Sequence, residues 1–224
     1  MIITIDGPSA SGKSTIARML ANKLGFYYIS SGLLFRGLAY ALVHEYRYQE
    51  ENLINPRPEH IEAILDRFKY NYDLNTHEQL FFDNKNITSF LKNPKISTYA
   101  SLIGTNLDVR NALAQLQRII ADNHNIIAEG RDMGSAIFPH ADLKLFLTAS
   151  LDVRAQRYQK DQHAKGRAIT LEQAIQEIKD RDERDANRIL APLAIAQGAI
   201  IIDDSELSQQ EVVDRILLDL PEPK

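Results

Sequence analysis

Gly7 is followed after four residues by Gly12, Lys13 and Ser14, a spacing that matches the G-x-x-x-x-G-K-[ST] phosphate loop. The chemistry open to such a stretch is the holding of a polyphosphate. Glycines let the backbone fold around a phosphate with no Cβ in the way. Lys13 can reach the β- and γ-phosphates of a nucleotide, and the Ser14 hydroxyl can hold Mg²⁺. Upstream, Ile2-Ile3-Thr4-Ile5 is a β-branched run without a polar break, as in a buried parallel strand. Downstream, Ile16, Met19, Leu20 and Leu24 recur at helical spacing until Gly25. The loop therefore joins a strand to a helix N-terminus, where free N–H groups and the helix dipole favour anions. These residues describe a nucleoside triphosphate site.

Arginines supply the second kind of chemistry. Ser30-Ser31-Gly32 and Arg36 follow one strand-like run, and Glu129-Gly130-Arg131-Asp132 follow another. In an open α/β sheet ligands bind at the carboxyl ends of strands, and arginine suits bidentate phosphate contact. Further on, Arg181, Arg184, Asp185 and Arg188 fall at i, i+3, i+4 and i+7, which puts them on one face of a helix. An exposed Arg181–Asp185 pair is the competing reading. Three arginines with one carboxylate between them leave positive charge that calls for an anion. Arg154 and Arg157 lie on the preceding helical pattern, joined by the polar, glycine-containing link 160–170. An arginine-lined flap over a polyphosphate has this make-up.

Strand-like runs at 2–5, 26–29, 125–128, 143–147 and 199–202 must position these groups. They alternate with helical patterns at 33–46, 106–122, 151–162, 171–190 and 208–219. That alternation predicts an α/β fold with a doubly wound, five-stranded parallel sheet of the phosphate-loop NTP hydrolase type. The rhythm breaks over 52–95. There Phe68 to Phe82 alternates loosely, with turn residues at Asp73, Asn75 and Thr76 and again at 83–86, so a helix and a small antiparallel hairpin are expected. A long loop is the competing reading. Phe68, Tyr70, Tyr72, Phe81 and Phe82 let this inserted lobe bury surface of its own. The closing Pro-Glu-Pro-Lys is expected to fray.

Composition narrows the partners. A chain of 224 residues with net charge −4 argues against a broad nucleic-acid surface. No cysteine is present, which excludes disulfides and thiolate metal sites. Met1 leads straight into the first strand, and no apolar run reaches membrane-spanning length. A soluble cytoplasmic chain is the expectation. The six histidines show no ligand spacing and read as ordinary surface residues.

The segments "IDGPSASGKST", "SGLLFR", "LDVR", "EGRDMG", "FPHADLKLFLTAS" and "IKDRDERDANR…APL" resemble the bacterial cytidylate kinases, in order and at that family's spacing over roughly residues 2–220. The resemblance implies a (d)CMP kinase of pyrimidine nucleotide metabolism, a transferase using ATP and Mg²⁺. It implies a kinase core over 1–51 and 96–224, a lid at about 155–185 and a monophosphate-binding lobe over 52–95. Gly7, Pro8, Ser9, Ala10, Ser11, Gly12, Lys13, Ser14 and Thr15 would hold ATP, with Ser14 on the metal. Ser31, Arg36, Arg131 and Arg188 would hold the CMP phosphate. Ser101, Arg110 and Asp132 would read cytosine, and Asp185 with Arg181 would meet the sugar. Lys13, Arg131, Arg154, Arg157, Arg181 and Arg184 would neutralise charge during transfer.

Four positions depart from the family pattern. Ser30 and Glu129 stand where the family has Asp, Phe35 where it has Tyr, and Lys92 where it has Arg. Ser30 removes a carboxylate near the acceptor pocket. Phosphoryl transfer within one cleft needs no second subunit, so a monomer is expected. A phosphate monoester has a second pKa of about 6, so the acceptor is mostly dianionic and needs no general base. The competing functions are a kinase for UMP, AMP or a small hydroxyl metabolite, and a nucleotide-dependent switch with no acceptor. For the switch, Asn84-Lys85-Asn86-Ile87 lacks the aspartate of N-K-x-D.

Overall fold

The computed structural model describes residues 1–221; of the closing four residues, expected to fray, all but Pro221 lie outside the described residues. In chain order the first elements are β1 (Ile2–Asp6), α1 (Lys13–Leu24), β2 (Tyr27–Ser30), α2 (Ser31–His44), α3 (Pro58–Leu65), β3 (Phe68–Asp73), β4 (His77–Phe82) and β5 (Lys85–Asn86). They are followed by α4 (Pro94–Ile103), α5 (Leu107–Ala121), β6 (Ile126–Glu129), β7 (Leu143–Thr148), α6 (Leu151–Ala164), α7 (Leu171–Asn187), β8 (Ile200–Asp203) and α8 (Gln209–Leu218).

Five strands form one parallel sheet in the order β2-β6-β1-β7-β8. β1 is buried at Ile3, Thr4, Ile5 and Asp6 alike, the unbroken burial of a strand covered on both faces. Its register sets Ile5 beside Leu145 and Asp6 beside Phe146 of β7. Strands added before β7 lie on one side of β1 and later ones on the other. Such a reversal opens a crevice at the strand ends, and the loop after β1 starts there. Among the described residues no helix is long and apolar enough to cross a membrane.

The chain divides into two compact units, Met1–Leu24 with Ile127–Lys224, and Gly25–Ile126. In the first, α1 buries Ile16, Ala17, Leu20 and Ala21 and packs on α8. α8 opens on a capping box of Ser208 and Glu211. α6 and α7 pack on each other through a small apolar cluster, Ala155, Ile169, Ala174 and Ile178, and Ala10 of the phosphate loop packs against it. A capping box of Thr170 and Gln173 starts α7. The helix ends at Asn187, three residues short of the expected 190, because Arg188 turns extended with ψ 138°. The predicted arginine face therefore loses its last member. His163 is exposed, as expected, and its Nε2 meets the Ile169 carbonyl at 3.0 Å, tying down the link between α6 and α7.

In the second unit α2 is apolar almost all round and buries Leu33, Leu34, Leu38, Ala39, Ala41 and Leu42, as a helix enclosed by neighbours must. It starts directly after β2, two residues earlier than the spacing suggested. The helix plus hairpin expected over 52–95 is present, with β5 as a third short strand. β3 and β4 pair antiparallel with Phe68 opposite Phe82. The Tyr70 hydroxyl of β3 donates to the Tyr28 carbonyl and accepts from the Ser30 N–H, fastening the hairpin across the end of β2. α4 was not expected, yet Asn93 caps it by accepting from the Lys95 N–H and Pro94 occupies its first turn. His60 stacks on Tyr46 at 4.0 Å and accepts or donates a bond to the Tyr48 hydroxyl.

Gly37 of α2 is where this unit is tightest. A Cβ there would lie 2.1 Å from Leu80 Cδ2 and 3.3 Å from the Phe68 ring. Gly37→Ala is expected to lower the free energy of unfolding by about 1–2 kcal/mol, since overpacking outweighs the gain in helix propensity. In a Leu80→Ala background the same change should be neutral or stabilising. Urea titration of the four variants checks the reversal.

Candidate active site

The loop after β1 is shaped by contact as well as by composition. Gly7 has φ +149°, and a Cβ on it would lie 2.0 Å from the Leu147 carbonyl oxygen of β7. The loop thus presses onto the neighbouring strand, and only glycine allows it. Lys13 opens α1 with its side chain buried. Its Nζ donates to the Pro8 carbonyl and, at 3.1 Å, to Ser11 Oγ. Burial holds this ammonium well below the usual lysine range, and Arg131 pushes the same way, while Glu129 and Asp6 oppose them.

Asp6, at the end of β1, drew no notice from the sequence. Its carboxylate accepts from the Met133 and Gly134 N–H groups, both at 2.8 Å. Burial pushes its carboxyl up to about 6, with Asp132 adding repulsion against the pull of the two N–H groups and Lys13. Asp6 holds the π-helical turn Met133–Ile137 against the sheet, and so sets where Arg131 and Asp132 begin.

Arg131 reaches in three directions. Nε donates to Asp185 Oδ2 at 2.8 Å, Nη1 to the Gly130 carbonyl at 3.2 Å, and Nη2 to Ser9 Oγ at 3.3 Å. Burial works against the Asp185 carboxylate, but Arg131, Arg181 and Arg188 overcome it and hold the carboxyl below the usual range. Arg188, freed from the helix, donates to the Ala191 carbonyl and to Asp132 Oδ1, the latter at 3.2 Å. The two pairs are alike: an arginine and an aspartate, each at most 17% exposed, linking the segment after β6 to the end of α7.

Arg154 of α6 donates Nε to the Ala149 carbonyl and Nη1 to the Ser9 carbonyl, both at 3.0 Å, and Nη1 also meets Asp182 Oδ2. Asp182 Oδ1 in turn accepts from the Ser9 N–H at 2.8 Å. The N–H, carbonyl and hydroxyl of Ser9 are thus all held by charged side chains. Arg157 grips the Asp204 carboxylate at 2.9 and 3.1 Å, beside Gly12. The positive charge that seemed uncompensated in the sequence is therefore matched by Asp132, Asp182, Asp185 and Asp204. Arg181 lies close enough to Lys13 and Asp185 to shift both. Arg184 is exposed, and its Nε bonds back to the Asp180 carbonyl of its own helix. It is not gathered with the others.

In the second unit Ser31 is buried at the first turn of α2, and Arg36 one turn on brings its guanidinium to Gly32. Arg110 of α5 is 7% exposed. It donates to the Gly104 carbonyl at 3.1 Å, and its guanidinium lies 5.9 Å from the centre of the Phe35 ring. Ser101 is on α4, one turn before Gly104. These four form two small polar groups on α2 and around the end of α4. Buried Asp6 and the partners Asp182 and Asp204 are what residue-by-residue reading missed. Asp6, directly before Gly7 at the end of an apolar strand, was the one with a visible signal.

The family model for cytidylate kinase matches residues 3–222. The cytidylate kinase of Thermotoga sp. strain RQ2 is 40% identical over 217 residues, covering 96% of this chain and 94% of that one. That of Listeria monocytogenes serotype 4a strain HCC23 is 37% identical over 216 residues, covering 96% and 93%. A crystal structure of an uncharacterized protein from Eubacterium ventriosum aligns with TM-score 0.55 at 13% identity over 100% of this chain and 99% of that one, a likeness of fold alone. With the phosphate loop, the paired arginines and a match along nearly its full length, the chain belongs to the cytidylate kinase family.

Proposed function

We propose that the chain transfers the γ-phosphoryl group of ATP to CMP, and to dCMP, giving ADP and CDP or dCDP. Family membership supports the reaction, and the observation that carries it in the structure is the convergence of Lys13, Arg131 and Arg154 on one glycine-bared loop. Donor and acceptor are both anionic, so cations must offset their repulsion before they can meet. Residues 7–15 are assigned to ATP. Ser31, Arg36, Arg131 and Arg188 are assigned to the acceptor phosphate, with Asp185 and Arg181 on its sugar. The lobe over 52–95 and the lid over about 155–185 are assigned as the monophosphate-binding and closing parts. A single cleft needs no second subunit, and a cytoplasmic monomer is the reading that fits.

The donor set suits Mg²⁺. Among the described residues no group of three or more His, Cys, Asp or Glu could hold a metal by itself. Mg²⁺ with ATP takes few protein ligands and many phosphate and water oxygens, so Ser14 at the start of α1 suffices. When bound, the ion would neutralise charge on the β- and γ-phosphates. No side chain needs to remove a proton, since a phosphate monoester is mostly dianionic at neutral pH. Asp6 is a buried carboxyl beside the loop, pushed up to about 6. Its oxygens are taken by two backbone N–H groups, which suits a positioning task better than proton transfer.

Cytosine offers an amino donor and a ring-nitrogen acceptor, so its reader needs a carboxylate and a donor; Asp132 and Arg110 are assigned these parts. A buried reader rejects a mismatch by leaving groups unpaired.

An acceptor panel of CMP, dCMP, UMP and AMP with coupled ADP detection tests the reading: CMP and dCMP should lead, and preference for AMP or UMP would overturn it. Asp132→Ala should erode discrimination of CMP over UMP by about tenfold or more; equal losses on both would remove Asp132 from base reading. Arg131→Ala should lower kcat/KM on every acceptor by about 100-fold or more, and an unchanged value would take it out of the phosphate site.

A further inference from the structure

Asp182 does something for which the assigned reaction has no use. One of its oxygens accepts the backbone N–H of Ser9, in the loop Gly7–Thr15, and the other meets the Arg154 guanidinium. An anion held by a phosphate-loop N–H and an arginine is what a phosphoryl group would be in this place. The carboxylate belongs to α7, and Arg154 to α6. These helices also meet the loop where Ala10 packs on their apolar cluster and where Arg157 lies beside Gly12. The contact is only partly solvated, with Asp182 19% and Arg154 11% exposed.

The geometry points to Asp182 as an internal phosphate surrogate that latches the lid to the loop and competes with the nucleotide for it. This rests on the reading of Gly7–Thr15 as a polyphosphate cradle. One N–H cannot serve two acceptors at full strength, so a phosphoryl oxygen that is to use Ser9 must displace Asp182. Two anions at one place also repel. Nucleotide affinity is then lowered by the fraction of molecules in which the latch is made. Arrival of the phosphate releases α7 from Ser9 and leaves Arg154 with the ligand in place of the carboxylate. Asp182 is on this account a positioning residue that couples loop occupancy to lid position.

The test uses the full chain. Asp182→Asn keeps the size of the side chain and removes its charge. It should bind ATP with Mg²⁺, and inorganic triphosphate alone, about fivefold tighter by titration calorimetry. KM for ATP should fall in step, KM for CMP should not move, and Asp182→Glu should return ATP affinity toward that of the parent. If Asp182 served only to steady Arg154, the Asn variant would bind ATP more weakly and lose kcat. That result, or an unchanged affinity, overturns the surrogate role. In the unaltered protein, the carboxyl carbon resonance of Asp182 should shift when inorganic triphosphate is added, together with the Gly12 amide. A moving Gly12 amide with a still Asp182 overturns the latch alone. A Gly12 amide that does not respond to triphosphate or ATP overturns the cradle itself and the latch with it.

Discussion

A lysine ammonium buried among other cations can persist only where oxygens are held against it. Lys13 has the Pro8 carbonyl and the Ser11 hydroxyl in contact, and Glu129 and Asp6 near enough to offset Arg131 and Arg181. Burial still works against its charge. A cation held against burial in this way is the condition under which a nearby anion gains most. The pressed contact of Gly7 on Leu147, the hold of Asp6 on the turn after β6, and the grip on Ser9 all serve to keep that charge in one place.

Around it, the arginines come already partnered. Arg131 with Asp185 and Arg188 with Asp132 are largely buried pairs, so the desolvation of these guanidiniums is largely met within the fold. Exchange of one anionic partner for another then costs less than stripping water from a free guanidinium would. The same pairs bring the segment after β6 and the end of α7 together, so charge and geometry are settled by one set of contacts. Preorganisation of this kind is where electrostatic catalysis draws its strength.

Much of this was legible in the sequence because it is local. The phosphate loop, the apolar runs of β1, β6, β7 and β8, and the helices 107–121 and 151–164 follow from spacing within a few residues. The start of α4 is equally local, as Asn93-Pro94 is a cap followed by a first-turn proline. The electrostatic partners were not legible. Ser9 and Asp182 are 173 residues apart, and Asp6 and Met133 are 127 apart; nothing in the spacing of either chain segment announces the other. Helical periodicity put Arg188 on a face with Arg181 and Arg184, but a tertiary contact with Asp132 won over one more turn of helix. Roles for Arg131 and Asp185 come from family likeness more than from residue types alone.

The apolar cluster between α6 and α7 has Ala155, Ile169, Ala174 and Ile178 at its centre, with Ala10, Leu151, Tyr158, Leu171 and Ile175 packed against it. Separating α6 from α7 would expose that apolar area and raise the heat capacity. The pairs Arg131–Asp185, Arg154–Asp182 and Arg188–Asp132 are at most 19% exposed, so dissolved salt screens them little. The pairing of α6 with α7 should therefore hold over a wide range of ionic strength.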